Sequence, residues 1–325
     1  MTITTRVQAG VLALFVLVGG CAPLEQARPL RPLPNSASLA AAPGAADFVF
    51  YVFGDNRPKK AKDGPTPTIQ AIAADLAAAD PKPVLALSCG DLIEGKDPTQ
   101  EATIRSEYQA IFSVLHSAGV PIFNAPGNHE MDDAQDVPNA TMTAWYSQMV
   151  GLPYGSFDHG NSHFIALNTE EIAPPGVVRS PRAPTDEPSG TLDPGYISPA
   201  QRRWLAHDLA GSRKQANVFI FMHHSVHAHK AKNQLDAASA AAVQAIISQY
   251  PNVKAVFSAH EHLYYNPQAP DDLQDPMAGS AGSGPRYLVT GGAGAPLESG
   301  DHGFYHYLIV TVRGGDVTVR LVKLP

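Results

Sequence analysis

Cysteine is nearly absent: two occur in 325 residues, Cys21 and Cys89. That excludes a disulfide-stapled scaffold, so the fold must rest on a packed core and on any metal it holds. Charge is sparse as well, at 16% of residues, and its balance is acidic, with a formal net charge of −7. Nothing in that balance supports nucleic-acid binding, which usually shows as a basic patch. Nor does any apolar run reach the ~20 residues of a membrane-crossing helix. The run Val11 to Val18, preceded by Arg6, is shorter and has the proportions of a secretory signal.

What the chain does have is short runs rich in Val, Ile and Phe. Five of them end on residues that a metal could use. Phe48 to Phe53 leads to Gly54-Asp55-Asn56-Arg57, and Val84 to Cys89 leads to Gly90-Asp91. Val120 to Phe123 leads to Gly127-Asn128-His129-Glu130. Val218 to Met222 ends on His223-His224, and Val253 to Ser258 leads to His260-Glu261-His262. Runs of this length and composition read as buried strands. Ligands of open α/β sheets gather beyond the carboxyl ends of the strands. One His after a strand carries little weight. Five ends bearing Asp, Asp, Asn-His, His-His and His-x-His imply one metal site assembled from distant segments.

In that order, Gly54-Asp55-x-Arg57, Gly90-Asp91, Gly127-Asn128-His129-Glu130, His223-His224 and His260-x-His262 resemble the calcineurin-like metallophosphoesterase superfamily. Leu152 to Asp158, His163 to Asn168 and Gln201 to Leu205 are similar to its purple-acid-phosphatase-like branch. The likeness covers roughly residues 46 to 325. It implies an α/β fold: a four-layer α/β/β/α sandwich of two mixed sheets flanked by helices. It also implies Asp55, Asp91 and His262 on one ion and Asp91, Asn128, His223 and His260 on a second, with Asp91 bridging.

Imidazole, amide and carboxylate donors without a thiolate suit Mn, Fe or Zn. Two such ions outweigh the two carboxylates in charge and would draw a phosphorylated small-molecule substrate. They would also acidify a bridging water, whose hydroxide attacks phosphorus without a covalent enzyme intermediate. The resemblance implies His129 as general acid on the leaving group. Glu130 is read either as its orienting partner or as a solvated side chain.

Two positions depart from the family pattern. Many members have a metal-binding His where Arg57 stands, and purple acid phosphatases have a Tyr where this chain has Glu94. Arginine has no lone pair for a metal. Arg57 is therefore expected to fork onto the substrate phosphate. The first ion then lacks one protein ligand unless Glu94 or Asn56 supplies it; the rival reading is an enzyme with one tightly bound ion. A further alternative is a non-catalytic surface lipoprotein that binds a phosphorylated ligand on the same scaffold.

Residues 1–20 are expected to be a lipoprotein signal peptide, because Val18-Gly19-Gly20-Cys21 resembles a bacterial lipobox. An ordinary signal peptide with an incidental Cys is the alternative. Residues 21–46, rich in Pro, Ala and Ser, read as a flexible tether, and residues 47–325 as the catalytic domain. Ala22 is not the Asp of inner-membrane retention. The expectation is an exported protein held by lipidated Cys21 in the outer membrane, facing the periplasm or the cell surface. Helices are expected at Thr68–Ala79, Ala102–Ala118, Ser198–Leu209 and Asp236–Tyr250, and hairpins around Ser156–Asn168 and at Gly314-Gly315. The stretch 172–195 reads as a rim, a lid or a disordered loop. His224, His227, His229 and Lys230 are read as solvated loop residues or as lining the mouth of the site, Tyr264 and Tyr265 as covering the core or stacking on a nucleobase, and His163 and His306 as structural. Gly291-Gly292-Ala293-Gly294 carries no phosphate-loop meaning.

Overall fold

The computed structural model describes residues 28–42, 44–174, 194–279 and 284–325. The expected signal peptide, Cys21 and most of the 172–195 loop lie outside these residues. Among the described residues no helix is long and apolar enough to cross a membrane.

The apolar runs are strands. One sheet contains β1 (Asp47–Phe53), β2 (Leu85–Ser88), β3 (Ile122–Asn124), β10 (His306–Arg313) and β11 (Asp316–Lys323), ordered β11-β10-β1-β2-β3. The other contains β4 (Gly155–His159), β5 (Ser162–Ala166), β6 (Asn217–Phe221), β7 (Val253–Ser258), β8 (Tyr264–Tyr265) and β9 (Arg286–Thr290), ordered β4-β5-β6-β7-β9-β8. β1, β2 and β3 are mutually parallel, as are β5, β6, β7 and β9, while the outer partners run antiparallel. The site-bearing ends of each parallel set therefore lie together.

Both faces of these strands are buried, which is why they read as continuous apolar runs. Along β1, Phe48, Phe50 and Val52 face the other sheet, while Tyr51 and Phe53 face helices. Phe219 and Phe221 of β6 answer from across the sandwich, and Val218 and Ile220 point the opposite way. Aromatic rings fill the space between the sheets: Phe50 lies 4.9 Å from Phe219 and 5.3 Å from Phe164, both edge-on.

On the outside of the first sheet lie α1 (Pro67–Ala78) and α2 (Glu101–Ser117). The Thr66 hydroxyl accepts from Ile69 N, with Pro at the first position of α1. Ile104, Tyr108, Ile111 and Leu115 form the buried stripe of α2. The one-turn α3 (Asn128–Met131) and α4 (Ala140–Met149) follow β3. On the second sheet lie α5 (Pro199–Gly211), capped by Ser198, and α6 (Ala237–Ile247), capped by Asp236. The result is the four-layer α/β/β/α sandwich.

The tether expectation fails for residues 28–33. This segment crosses the open side of both sheets, where β3 and β4 are edge strands. Leu33 N donates to Ile122 O at 2.7 Å, and Leu30 N donates to Ser156 O at 2.9 Å. Leu30 and Leu33 are buried, and the Arg28 guanidinium covers the Tyr154 ring at 4.0 Å. The strap satisfies two edges that would otherwise invite pairing with another chain. Pro-rich composition concealed it, because two leucines carry no periodicity.

Candidate metal centre

Each expected ligand leaves its strand through a tight turn. Asp55 and Asp91 both have φ of 57°, and His260 and His262 have φ of 73° and 42°. Left-handed backbone at four non-glycine residues is costly and persists only where surroundings enforce it. Backbone hydrogen bonds between the turns supply that enforcement: Asp55 N to Gly90 O, Arg57 N to Asp91 O, Ala259 N to His223 O and Ala295 N to Asp55 O, at 2.8–3.1 Å. Two glycines permit the close approach. A Cβ on Gly127 would lie 2.3 Å from Asp91 Oδ1, and one on Gly291 would lie 2.3 Å from Asp55 Oδ2.

All six expected ligands converge. Asp55, Asp91 and His223 are buried and present donor atoms within 4.8 Å of one another. His223 Nε2 lies 3.0 Å from Asn128 Oδ1, 3.2 Å from His260 Nδ1 and 3.4 Å from Asp91 Oδ1. His262 Nε2 lies 3.8 Å from Asp55 Oδ1. Two donors sharing one ion at ~2.1 Å, at a tetrahedral angle, stand ~3.4 Å apart. The spacing around His223 fits that value.

The histidines are also aimed. His223 Nδ1 donates to Cys89 O at 2.8 Å across the two sheets, and His262 Nδ1 donates to Pro296 O at 2.8 Å. Each is fixed as the tautomer whose Nε2 lone pair faces inward, the arrangement metal-binding histidines use. His223 Nε2 therefore meets two oxygen acceptors, Asn128 Oδ1 and Asp91 Oδ1, beside another imidazole nitrogen, a crowding of acceptors that a cation would relieve. Among the described residues neither buried oxygen of Asp55 has a hydrogen-bond partner of good geometry, although the His260 backbone amide lies close enough to favour the charged carboxylate. Burial, with Asp91 adding to it, pushes the Asp55 carboxyl up to about 7 against His223 and Arg57. For Asp91 burial acts the same way, but His223, His129 and Arg57 override it and hold the carboxyl well below the usual range. The donor set fits transition-metal ions.

A sequence profile described as calcineurin-like phosphoesterase matches residues 48–264. The chain belongs to the calcineurin-like phosphoesterase family. Its domain is thus of the phosphoesterase class, and the family together with the Asp55–Asp91–His223 group points to a dimetal centre. Among solved structures, a purple acid phosphatase from yellow lupin seeds superposes with a TM-score of 0.60 at 17% identity, over 87% of this chain and 52% of the lupin chain. A dimetal phosphatase from Danio rerio superposes with a TM-score of 0.54 at 15% identity, over 87% of this chain and 100% of its own. At such identities the likeness concerns the fold, and the chain spans about half the length of the lupin protein. A search of curated proteins finds no match.

Around this phosphoesterase centre several residues differ from expectation. Glu130 neither orients His129 nor faces solvent. It is fully buried and accepts from Asp91 N at 3.0 Å, Ile93 N at 3.2 Å and Gly127 N at 2.7 Å, and also from Leu92 N. One carboxylate thus ties the loop after β2 to the turn before Asn128. His129 instead donates through Nδ1 to the Glu94 carbonyl, which leaves Nε2 3.9 Å from Asp91 Oδ2.

Arg57 is half-buried between Asp91, at 3.2 Å from Nε, and Glu94, at 2.5 Å from Nη1. Its Nη2 makes no hydrogen bond to the described residues. Glu94 is thereby engaged, whereas Asn56 donates to Leu92 O and leaves its buried Oδ1 unpaired.

His224, read as solvated or at the mouth of the site, is fully buried. Its Nδ1 donates to Glu170 Oε1 at 2.6 Å, and its ring lies 3.9 Å from that of His260. An isolated His-His pair gives no sign of a carboxylate 54 residues upstream. Gly291 was also missed as a site element, although the apolar run Tyr287–Val289 before it was the available signal. His306 is buried, its pKa lowered by burial to about 4, and Cys89 is a buried thiol.

Proposed function

We propose that this chain is a metal-dependent hydrolase of phosphate esters acting on a phosphorylated small molecule. The observation that carries the reading is the convergence of Asp55, Asp91, Asn128, His223, His260 and His262, with neither Asp55 oxygen in a well-formed hydrogen bond among the described residues. Asp55, Asp91 and His262 would hold one Mn, Fe or Zn ion; Asp91, Asn128, His223 and His260 would hold the other. Donors stand closer around His223 than around Asp55, which supports the His223 side as the tighter site. Once bound, the pair would polarise the phosphoryl oxygens and lower the pKa of a water that attacks phosphorus.

The remaining work falls to side chains. Arg57 is oriented by Asp91 and Glu94, and its free Nη2 would grip a non-bridging phosphoryl oxygen. With Nδ1 donating to Glu94 O, His129 would pass a proton from Nε2 to the leaving-group oxygen only as the imidazolium, a form that burial disfavours and the neighbouring Asp91 favours, and would be left as the neutral Nδ1–H imidazole. We further propose that Cys21 is lipidated and tethers the enzyme to a membrane. Radiolabelled palmitate should be incorporated in the native chain and lost in Cys21→Ala.

The decisive experiment compares hydrolysis of a chromogenic aryl phosphate and its diester analogue, with Mn, Zn or Fe added and with a chelator. Turnover abolished by the chelator and restored by metal is expected. Absence of turnover with every metal would shift the reading to a binding protein on a phosphoesterase scaffold.

A further inference from the structure

One residue along the chain from Arg57 and Asp91, the loop 58–65 and the first half of α2 line an open cavity of about 790 Å³. That is within the ~300–1,000 Å³ of small-molecule sites. Two strand-end loops connect it to the centre. Pro58 in its wall follows Arg57, and Leu92 in its wall follows Asp91. The lining is mainly apolar, with Pro65, Ile93, Ala110 and Ile111, and carries the hydroxyls of Thr103 and Ser106. The one carboxylate in the wall, Glu107, is turned to the backbone, accepting from Glu94 N at 2.9 Å and Gly95 N at 3.3 Å. Lys60 and Lys62 stand exposed at the rim and enter no ion pair among the described residues. A chain of net charge −7 thus places uncommitted cations beside a partly apolar cavity, next to the residue expected to grip phosphate.

We propose that this cavity receives the body of the substrate, and that the substrate is a phosphate ester carrying a second anionic group, which Lys60 and Lys62 engage. The inference rests on the phosphoesterase reading and adds a substrate class to it. Two anion positions, the metal centre and the lysine rim, would bracket an apolar spacer lying against the part-exposed Pro65 and Ala110. Selectivity for such esters over simple aryl phosphates follows, because only they use both ends.

The test uses the metal-loaded full chain and two esters: phenyl phosphate, and a phenyl phosphate carrying a carboxylate on a short alkyl arm. In the double variant Lys60→Glu/Lys62→Glu, the ratio of KM for the armed ester to KM for phenyl phosphate should rise about tenfold, the scale of two exposed charge contacts. Ala110→Trp, which fills the cavity, should move the ratio the same way. If that variant does not fold, the surface lysine pair still decides. Equal KM changes for both esters, or an unmoved ratio, overturn the proposal. If the native protein turns over neither ester, the hydrolase reading has failed, and the cavity is tested separately by calorimetry with the non-hydrolysable phosphonate of the armed ester. Tighter binding by the native chain than by the lysine variant keeps the proposal; equal or undetectable binding ends it.

Discussion

Two histidines on neighbouring strands of one sheet have opposite surroundings. At the start of β5, His163 donates from Nδ1 to Asp158 at 2.6 Å and from Nε2 to Asp208 at 2.8 Å. Both nitrogens are satisfied as donors. Burial opposes its charge, but the two carboxylates override it and raise the pKa to about 9. Beyond the end of β6, His223 donates once, to a carbonyl, and turns its other nitrogen towards an amide oxygen, an imidazole nitrogen and a carboxylate. The first cluster is complete within the protein and locks the β4–β5 hairpin onto α5. The second, on the function proposed above, would be completed by a cation. Histidine and carboxylate in contact do not by themselves mark a metal site; the second cluster differs in turning oxygen acceptors towards an imidazole nitrogen whose partner nitrogen already holds the proton.

The strongest way to break this contrast is to remove metal. Stripping the native protein should lower its stability by about 4 kcal/mol relative to protein in metal at a thousandfold excess over Kd. The loss is read as a metal-dependent Tm. Asp91→Asn should bind fewer ions per chain by elemental analysis and show a much smaller metal-dependent shift. An unchanged ion count in Asp91→Asn would end the assignment of that residue as the bridge.

His129→Ala separates chemistry from assembly. Turnover should fall about 10²–10⁴-fold while the ion count is retained. Glu130→Gln comes next, because a Gln amide cannot accept from all four backbone N–H groups. A cost of about 1–3 kcal/mol is expected, with metal affinity weakened about 10–100-fold as the Asp91 loop loosens.

The smallest effect belongs to the self-sufficient end. A histidine whose folded pKa is raised contributes stability that is complete below its unfolded value, near ~6.5, and lost as pH rises through about 9. His163→Gln should therefore destabilise by about 1–2 kcal/mol at pH 6. That is less than the ~3 kcal/mol the shift alone would give, because exposed Asp158 is screened. The cost should fade by pH 10, read from denaturant midpoints at both pH values, with ion content unaltered. A loss independent of pH would mean that packing, not the doubly bonded imidazole, holds the hairpin.

The sandwich and its six donors were legible because strands buried on both faces announce themselves, and because turns after parallel strands leave short polar residues in a common place. Glu130, His224 and Gly291 were not legible as site elements. Each acts on a segment far away in the chain: Glu130 on the Asp91 loop, His224 on Glu170, Gly291 on Asp55 and His262. Support of that kind depends on which loops meet, and no local spacing encodes it. The Pro-rich segment before β1 was misjudged for a related reason, since its two leucines gain meaning only from the sheet edges they cover.

That strap would limit how freely the protein could hang from the lipid proposed on Cys21. With residues 28–33 laid across both sheets, the lipid proposed on Cys21 would be separated from the strap by residues 22–27 alone, a span of at most about 20 Å. The β3 and β4 flank would then sit against the bilayer headgroups, and substrate would have to arrive along the membrane surface or from the opposite side. Position and facing would be set together by a leash too short to let the molecule turn over.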